Sequence, residues 1–130
     1  MAAGASAAAW AQAALASSSA RRIQPPAATD CPREQLTLYA GTVQRWQRRT
    51  GRTDLSIHTE WGSTEQLRIL HPGSDNPAPW FLLRRQAFQA SDWAHIETRP
   101  GQLRPGLKVA AWVCSDGRNP LLDWQPPAAP

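Results

Sequence analysis

Leu36-Thr37-Leu38-Tyr39-Ala40-Gly41-Thr42-Val43-Gln44-Arg45-Trp46 is the stretch that decides the fold class. Its first five residues alternate as a strand does when one face meets a core. Gly41 then interrupts the pattern without ending it. A glycine inside a strand marks a bulge or a sharp bend, the device that curls a sheet towards a barrel. Outward from this stretch the chain keeps the same grammar. Thr50-Gly51-Arg52 makes a turn. Leu55, Ile57, Thr59 and Trp61 then share one face of a second strand, with Ser56, His58 and Glu60 on the other. Trp61-Gly62-Ser63-Thr64 is a tight hairpin signal. A third strand follows with Leu67 and Ile69 inward and Gln66 and Arg68 outward, and it stops at His71-Pro72-Gly73.

Residues 74–79 carry Asp75, Asn76 and two prolines and read as loop. Phe81-Leu82-Leu83 and Gln86-Ala87-Phe88 flank Arg84-Arg85 and suit a small extra hairpin. Over residues 91–98 the pattern predicts a short helix. Ser91 is its N-cap, Asp92 lies in the first turn where the helix dipole favours negative charge, and Trp93, Ala94 and Ile96 form its apolar side. Pro100-Gly101 ends it. Arg104-Pro105-Gly106 turns into Leu107-Lys108-Val109-Ala110-Ala111-Trp112-Val113-Cys114, where Leu107, Val109, Ala111 and Val113 share a face. After the turn at residues 115–120, Leu121-Leu122-Asp123-Trp124 is the last strand.

Three strands, a helix and two more strands is the order of the OB-fold, a five-stranded Greek-key barrel. Residues 36–124 resemble that fold in the bend at Gly41, the helix at residues 91–98 and the approach to the strand through residues 103–109. The resemblance implies a mostly β, small five-stranded OB-like barrel with one short helix between strands three and four. The hairpin at residues 81–88 departs from the simplest version. An SH3-like barrel is the competing architecture.

At 130 residues there is room for one domain. Residues 1–30 form an Ala/Ser/Pro-rich leader, residues 31–124 the barrel domain, and residues 125–130 a Pro/Ala tail that cannot complete a strand ladder. Residues 2–20 contain no charge. They suit the apolar region of a signal peptide, with small-x-small cleavage patterns at Ala14-Leu15-Ala16 and Ser18-Ser19-Ala20, although no Lys or Arg precedes them. They are too short and too weakly apolar for a membrane span. A leader of this kind is expected to be dispensable for folding over residues 1 to about 20. Cys31 and Cys114 stand 83 positions apart and match no zinc spacing. They either pair in an oxidising compartment or remain two buried thiols. The leader and the even count favour a Cys31–Cys114 disulfide, hence a periplasmic or secreted protein over a cytoplasmic one.

The net charge is +4, and 13 of the 14 basic residues are Arg. The first-to-second strand connection reads Arg45-Trp46-Gln47-Arg48-Arg49-Thr50-Gly51-Arg52. Arginines interleaved with an aromatic suit a surface that tracks phosphates and stacks bases. The favoured reading of the same residues is a solvated basic hairpin whose Trp46 packs on the barrel. Together with the outward His58 and Arg68, the candidate ligand-binding set is Arg45, Trp46, Arg48, Arg49, Arg52, His58 and Arg68. The outward positions Ser56, His58, Glu60, Gln66 and Arg68 include no aromatic platform, which weighs against nucleic acid.

No motif assigns a catalytic residue, a metal or a cofactor. His58, His71 and His95 stand singly, the His58–Glu60 pair is an ordinary surface arrangement, and Ser63 and Ser115 lie in turns with no partner at hand. Asp116-Gly117-Arg118-Asn119 reads as turn chemistry. The leading expectation is a non-catalytic exported β-barrel binding module for a ligand or protein partner that the sequence does not name. The alternative is a cytosolic single-stranded nucleic-acid-binding OB module working through the basic first hairpin. A small enzyme using His58 and Glu60 ranks last.

Overall fold

The computed structural model describes residues 25–26 and 29–127. The leader over residues 1–24 and the last three tail residues lie outside the described residues. Within them the strands are β1 (Leu36–Arg49), β2 (Gly51–Thr59), β3 (Thr64–His71), β4 (Phe81–Leu83), β5 (Gln86–Ala87), β6 (Glu97–Arg99), β7 (Gln102–Leu103), β8 (Lys108–Cys114) and β9 (Leu121–Gln125). One short helix, α1, spans Trp93–Ile96. Seven strands form one sheet in the order β3-β2-β1-β8-β9-β4-β5, and β6 and β7 make a separate hairpin. Neighbours in the large sheet are antiparallel except β4 and β9, which run parallel.

The fold is mostly β, as expected, but the main sheet has seven strands rather than five and is not a closed barrel. The reason lies in residues 81–88. Their hairpin places β4 and β5 beyond β9, so β3 remains an edge strand. Asn119 covers part of that edge. Its side-chain oxygen accepts from the Leu70 amide at 2.9 Å, and its amide nitrogen donates to the Leu70 carbonyl at 2.7 Å. The amide thereby does locally what a neighbouring strand would do.

β1 belongs to both halves of the sheet. Residues 36–42 pair with β8, and residues 41–49 pair with β2. Gly41 stands where the two ladders overlap, and a Cβ there would lie 2.0 Å from the His58 carbonyl oxygen. Close approach of backbone, rather than an inserted residue, is what requires glycine. The register irregularity falls later, between Val43 and Arg45. It leaves Gln44 and Arg45 both exposed, and alternation resumes with Trp46 and Arg48 half-buried and Gln47 and Arg49 outward.

The helix is shorter than expected. Ser91 does not cap it. Gln89 and Asp92 instead form a capping box, the Gln89 amide donating to Asp92 Oδ2 at 2.8 Å, around a single 3-10 turn at Ala90–Asp92. The chain turns extended at Glu97. Pro100 disfavours helical angles at Arg99, so β6 and β7 replace the last helical turn. The Arg104 guanidinium donates to the Ala94 carbonyl at 2.8 and 3.0 Å, satisfying a helix-end acceptor.

Leu55, Ile57, Ile69, Ile96, Leu107, Val109, Ala111 and Leu122 bury together with Phe81 and Trp124. Phe81 lies among four rings, with centroid distances of 5.2 Å to Phe88, 5.3 Å to Trp124, 5.6 Å to Trp93 and 6.2 Å to Trp46. Phe88 and Trp124 meet it edge to face, the arrangement favoured by aromatic quadrupoles. Trp61, expected on the inner face of β2, is 68% exposed because the strand ends at Thr59 and Gly62 turns the chain. On β8 the face bearing Trp112 and Cys114 is buried as well. Cys114 forms the expected disulfide with Cys31, their Cα atoms 6.0 Å apart. Arg118, chelated by Asp116, also donates to the Asp30 carbonyl and so holds the chain beside Cys31. β9 runs through Gln125, and Arg84 donates to the carbonyls of Pro126 and Pro127.

Candidate functional site: an arginine groove on the outer sheet face

The β-bulge between Val43 and Arg45 decides which basic side chains face outward. Arg45, Gln47 and Arg49 emerge from β1, and β2 adds Arg52, Asp54, Ser56 and His58 by simple alternation. Gln66 and Arg68 come from β3. Strand register aligns these residues in rows. Gln47, Asp54 and Arg68 are cross-strand neighbours, and Arg45, Ser56 and Gln66 form the adjacent row. Between the rows lies an open groove of about 380 Å³, lined by these six residues together with Arg52, Leu55 and Leu67.

Asp54 organises the groove. Its Oδ2 accepts from Arg52 Nε at 2.8 Å and its Oδ1 from Arg68 Nε at 3.0 Å. Desolvation pushes the Asp54 carboxyl up, but the hydrogen bonds and charges of Arg68 and Arg52 outweigh it and hold its pKa below the ordinary carboxylate value. Asp54 is therefore ionised at neutral pH. Among the described residues no hydrogen bond reaches the Arg45 guanidinium or the terminal nitrogens of Arg52 and Arg68. Three guanidiniums against one carboxylate leave the groove with a net charge of +2.

The sequence-derived set divides. Arg45, Arg52 and Arg68 share the groove. Arg49 lies outward beside it, donating to Gln47 Oε1 at 2.8 Å, and His58 is exposed without lining it. Trp46 and Arg48 turn the other way. Trp46 meets the Trp124 ring edge-on at 5.5 Å and donates its indole N–H to Glu97 Oε2 at 3.2 Å. Arg48 pairs with Glu97 Oε1 at 2.8 Å, and its guanidinium lies 4.3 Å from the centroid of the Trp93 ring. The Gly101 amide also donates to Glu97, at 3.2 Å, so a buried carboxylate is fully occupied. These contacts make Trp46 and Arg48 parts of the packing rather than of the groove.

Asp54 and Gln47 were not legible as site residues. The one available signal was Arg52-Thr53-Asp54, where alternation puts the arginine and carboxylate on the same face. Glu97 was hidden because its partners lie about 50 positions away. His71 is also internal, with Nε2 2.8 Å from Thr53 Oγ1 and Nδ1 2.7 Å from the Ser74 carbonyl. The carbonyl can only accept, which makes Nδ1 the protonated nitrogen. Among the described residues no three His, Cys, Asp or Glu side chains gather in a metal-binding group. No described helix is long and apolar enough to cross a membrane. No protein-family model, curated protein or solved structure matches the chain.

Proposed function

We propose that this protein is an exported, non-catalytic binding module of OB-like organisation that holds its ligand on the outer face of β1, β2 and β3. The observation that carries the reading is the groove itself, where side chains from three strands converge and Asp54 holds two arginines in place. Preorganised charged groups in a concavity are the usual makings of a recognition site. The OB-like organisation is supported by β1 pairing with both β2 and β8, and by α1 preceding β8. Export is supported by the Cys31–Cys114 disulfide, since such bonds persist in oxidising compartments.

Nucleic acid recognition is the weaker reading. The one aromatic in the basic stretch, Trp46, packs on Trp124 and Phe81, and the groove lining contains no ring on which a base would stack. Titration of the isotopically labelled protein with small-molecule ligands and with a single-stranded oligonucleotide, followed by amide chemical shifts, tests the proposal. Shifts should concentrate on Arg45, Arg52, Ser56, Gln66 and Arg68 for a small ligand. Sub-micromolar oligonucleotide binding that depends on an aromatic side chain would overturn it.

A further inference from the structure

We propose that the groove on β1–β3 recognises a phosphate or sulfate group carried on a small polyhydroxylated ligand of monosaccharide size. This rests on the binding-module reading and names the ligand chemistry of the same site.

Three features of the groove converge on an oxyanion. Arg52 and Arg68 each use Nε to grip Asp54, one on each carboxylate oxygen. That grip fixes the planes of the two guanidiniums and leaves their terminal N–H groups unengaged among the described residues. Arg45 adds a third guanidinium from β1 with no hydrogen bond of its own there. Arg45, Arg68 and Arg52 approach from three separate strands, in three successive rows of the sheet, and all line the same groove. A tetrahedral oxyanion offers several terminal oxygens to donors arriving from different directions, and paired guanidinium N–H groups suit it. The net charge of +2 matches a phosphomonoester, which carries about −1.5 to −2 at neutral pH.

Polar neutral side chains are interleaved with the arginines. Gln47, Ser56 and Gln66 present amide and hydroxyl groups that both donate and accept, the complement of ligand hydroxyls. Ser56 is buried at the centre of its row, so a ligand reaching it exchanges water for a hydrogen bond in a sheltered place. A volume of 380 Å³ lies near the lower end of small-molecule sites, room for a single sugar rather than a chain.

The test is titration of the labelled protein at low ionic strength with glucose 6-phosphate, glucose 6-sulfate, inorganic phosphate, inorganic sulfate, glucose and acetate. At least one of the two sugar esters should bind more tightly than its inorganic ion, shift Ser56, Gln66 and Arg68, and weaken as salt rises. Comparing the phosphate and sulfate arms identifies the source of the oxyanion. Arg45→Gln and Arg68→Gln should each weaken the preferred ester by about tenfold or more while leaving the amide spectrum outside the groove unchanged. Saturable binding of glucose alone in the groove, or equal affinity for acetate, would overturn the oxyanion inference and leave the binding-module reading standing. Binding of the esters that maps outside the groove, or no shift of groove amides by any probe, would overturn the inference. A wider ligand panel that also spared the groove would remove the binding-module reading with it.

Discussion

Trp46 shows how one side chain joins packing to electrostatics. Its ring meets Trp124 edge-on, and its N–H helps satisfy Glu97, the buried partner of Arg48. Truncation to Ala removes the aromatic contact and a donor to a buried carboxylate together. Trp46→Ala is expected to cost about 3 kcal/mol or more of stability, measured by urea unfolding. An unchanged midpoint would show that Trp46 is not part of the core. Asp123 is the second informative residue. It is 2% exposed on β9, and burial pushes its carboxyl above the ordinary value of 3.8, with the Arg85 amide at 2.9 Å only partly opposing this. A raised folded pKa means that ionisation disfavours the fold. The native state is therefore relatively favoured at acid pH, and that advantage is lost as pH rises from 3.8 through the folded pKa. Asp123→Asn keeps an oxygen acceptor for Arg85 and cannot ionise. Its stability relative to the parent protein should increase between about pH 4 and pH 7, as compared by denaturant unfolding at both values. A difference that does not vary with pH would contradict the assignment.

At the scale of elements, the turn joining β4 and β5 stands out because Arg84 and Arg85 both have positive φ, 46° and 68°. Two-residue hairpins adopt such angles because the turn twist then matches that of the strands, but glycine or asparagine normally occupies them. Arg84 has local compensation in its hydrogen bonds to the carbonyls of Pro126 and Pro127. The Arg85 amide donates to Asp123, a bond that a glycine would keep. Arg85→Gly should therefore stabilise the protein by about 1 kcal/mol, read as a rise in melting temperature. A fall would mean that the Arg85 side chain contributes more than its backbone conformation costs. The bulge in β1 works differently. It does not strain a residue but changes phase, so that Val43 before it and Trp46 after it, an odd number of positions apart, both pack against the core while Arg45 faces outward.

At the scale of the molecule, the disulfide ties the start of the described domain to the end of β8. Cys31 and Cys114 are 83 positions apart, and opening so long a loop in the unfolded chain is worth about 4 kcal/mol in the chain-entropy picture. Reduction, or replacement of both cysteines by Ser, should lower the unfolding free energy by about that amount and reduce the melting temperature markedly. Mass spectrometry after alkylation without reduction should find no labelled thiol in protein recovered from its native compartment. Two labelled thiols there would remove the disulfide support for export.

Much of the fold was legible in local pattern. The alternation in β2, β3 and β8, the turns at Gly51, Gly62 and Gly106, and the hairpin at residues 81–88 follow from side-chain period and backbone sterics. Both are properties of neighbouring residues, and a linear sequence displays them. The outward Arg68 was legible for the same reason, whereas Arg52, read as part of a turn, is the second residue of β2. The inward packing of Trp46 was the favoured reading of the basic hairpin, but the sides taken by Arg45 and Arg48 were not legible, because one extra residue between Val43 and Arg45 inverts the alternation, and no local signal marks where a ladder slips. The partners of Glu97, where the helix gives way to extended chain, were not legible either, because Trp46 and Arg48 lie about 50 positions away. The sequence by itself determined a small mostly β domain with a basic first hairpin and a pair of cysteines. Only the tertiary structure decided that three of its arginines share a groove with Asp54 while Arg48 is drawn inward beside Trp46, because facing is set by register between strands and not along one.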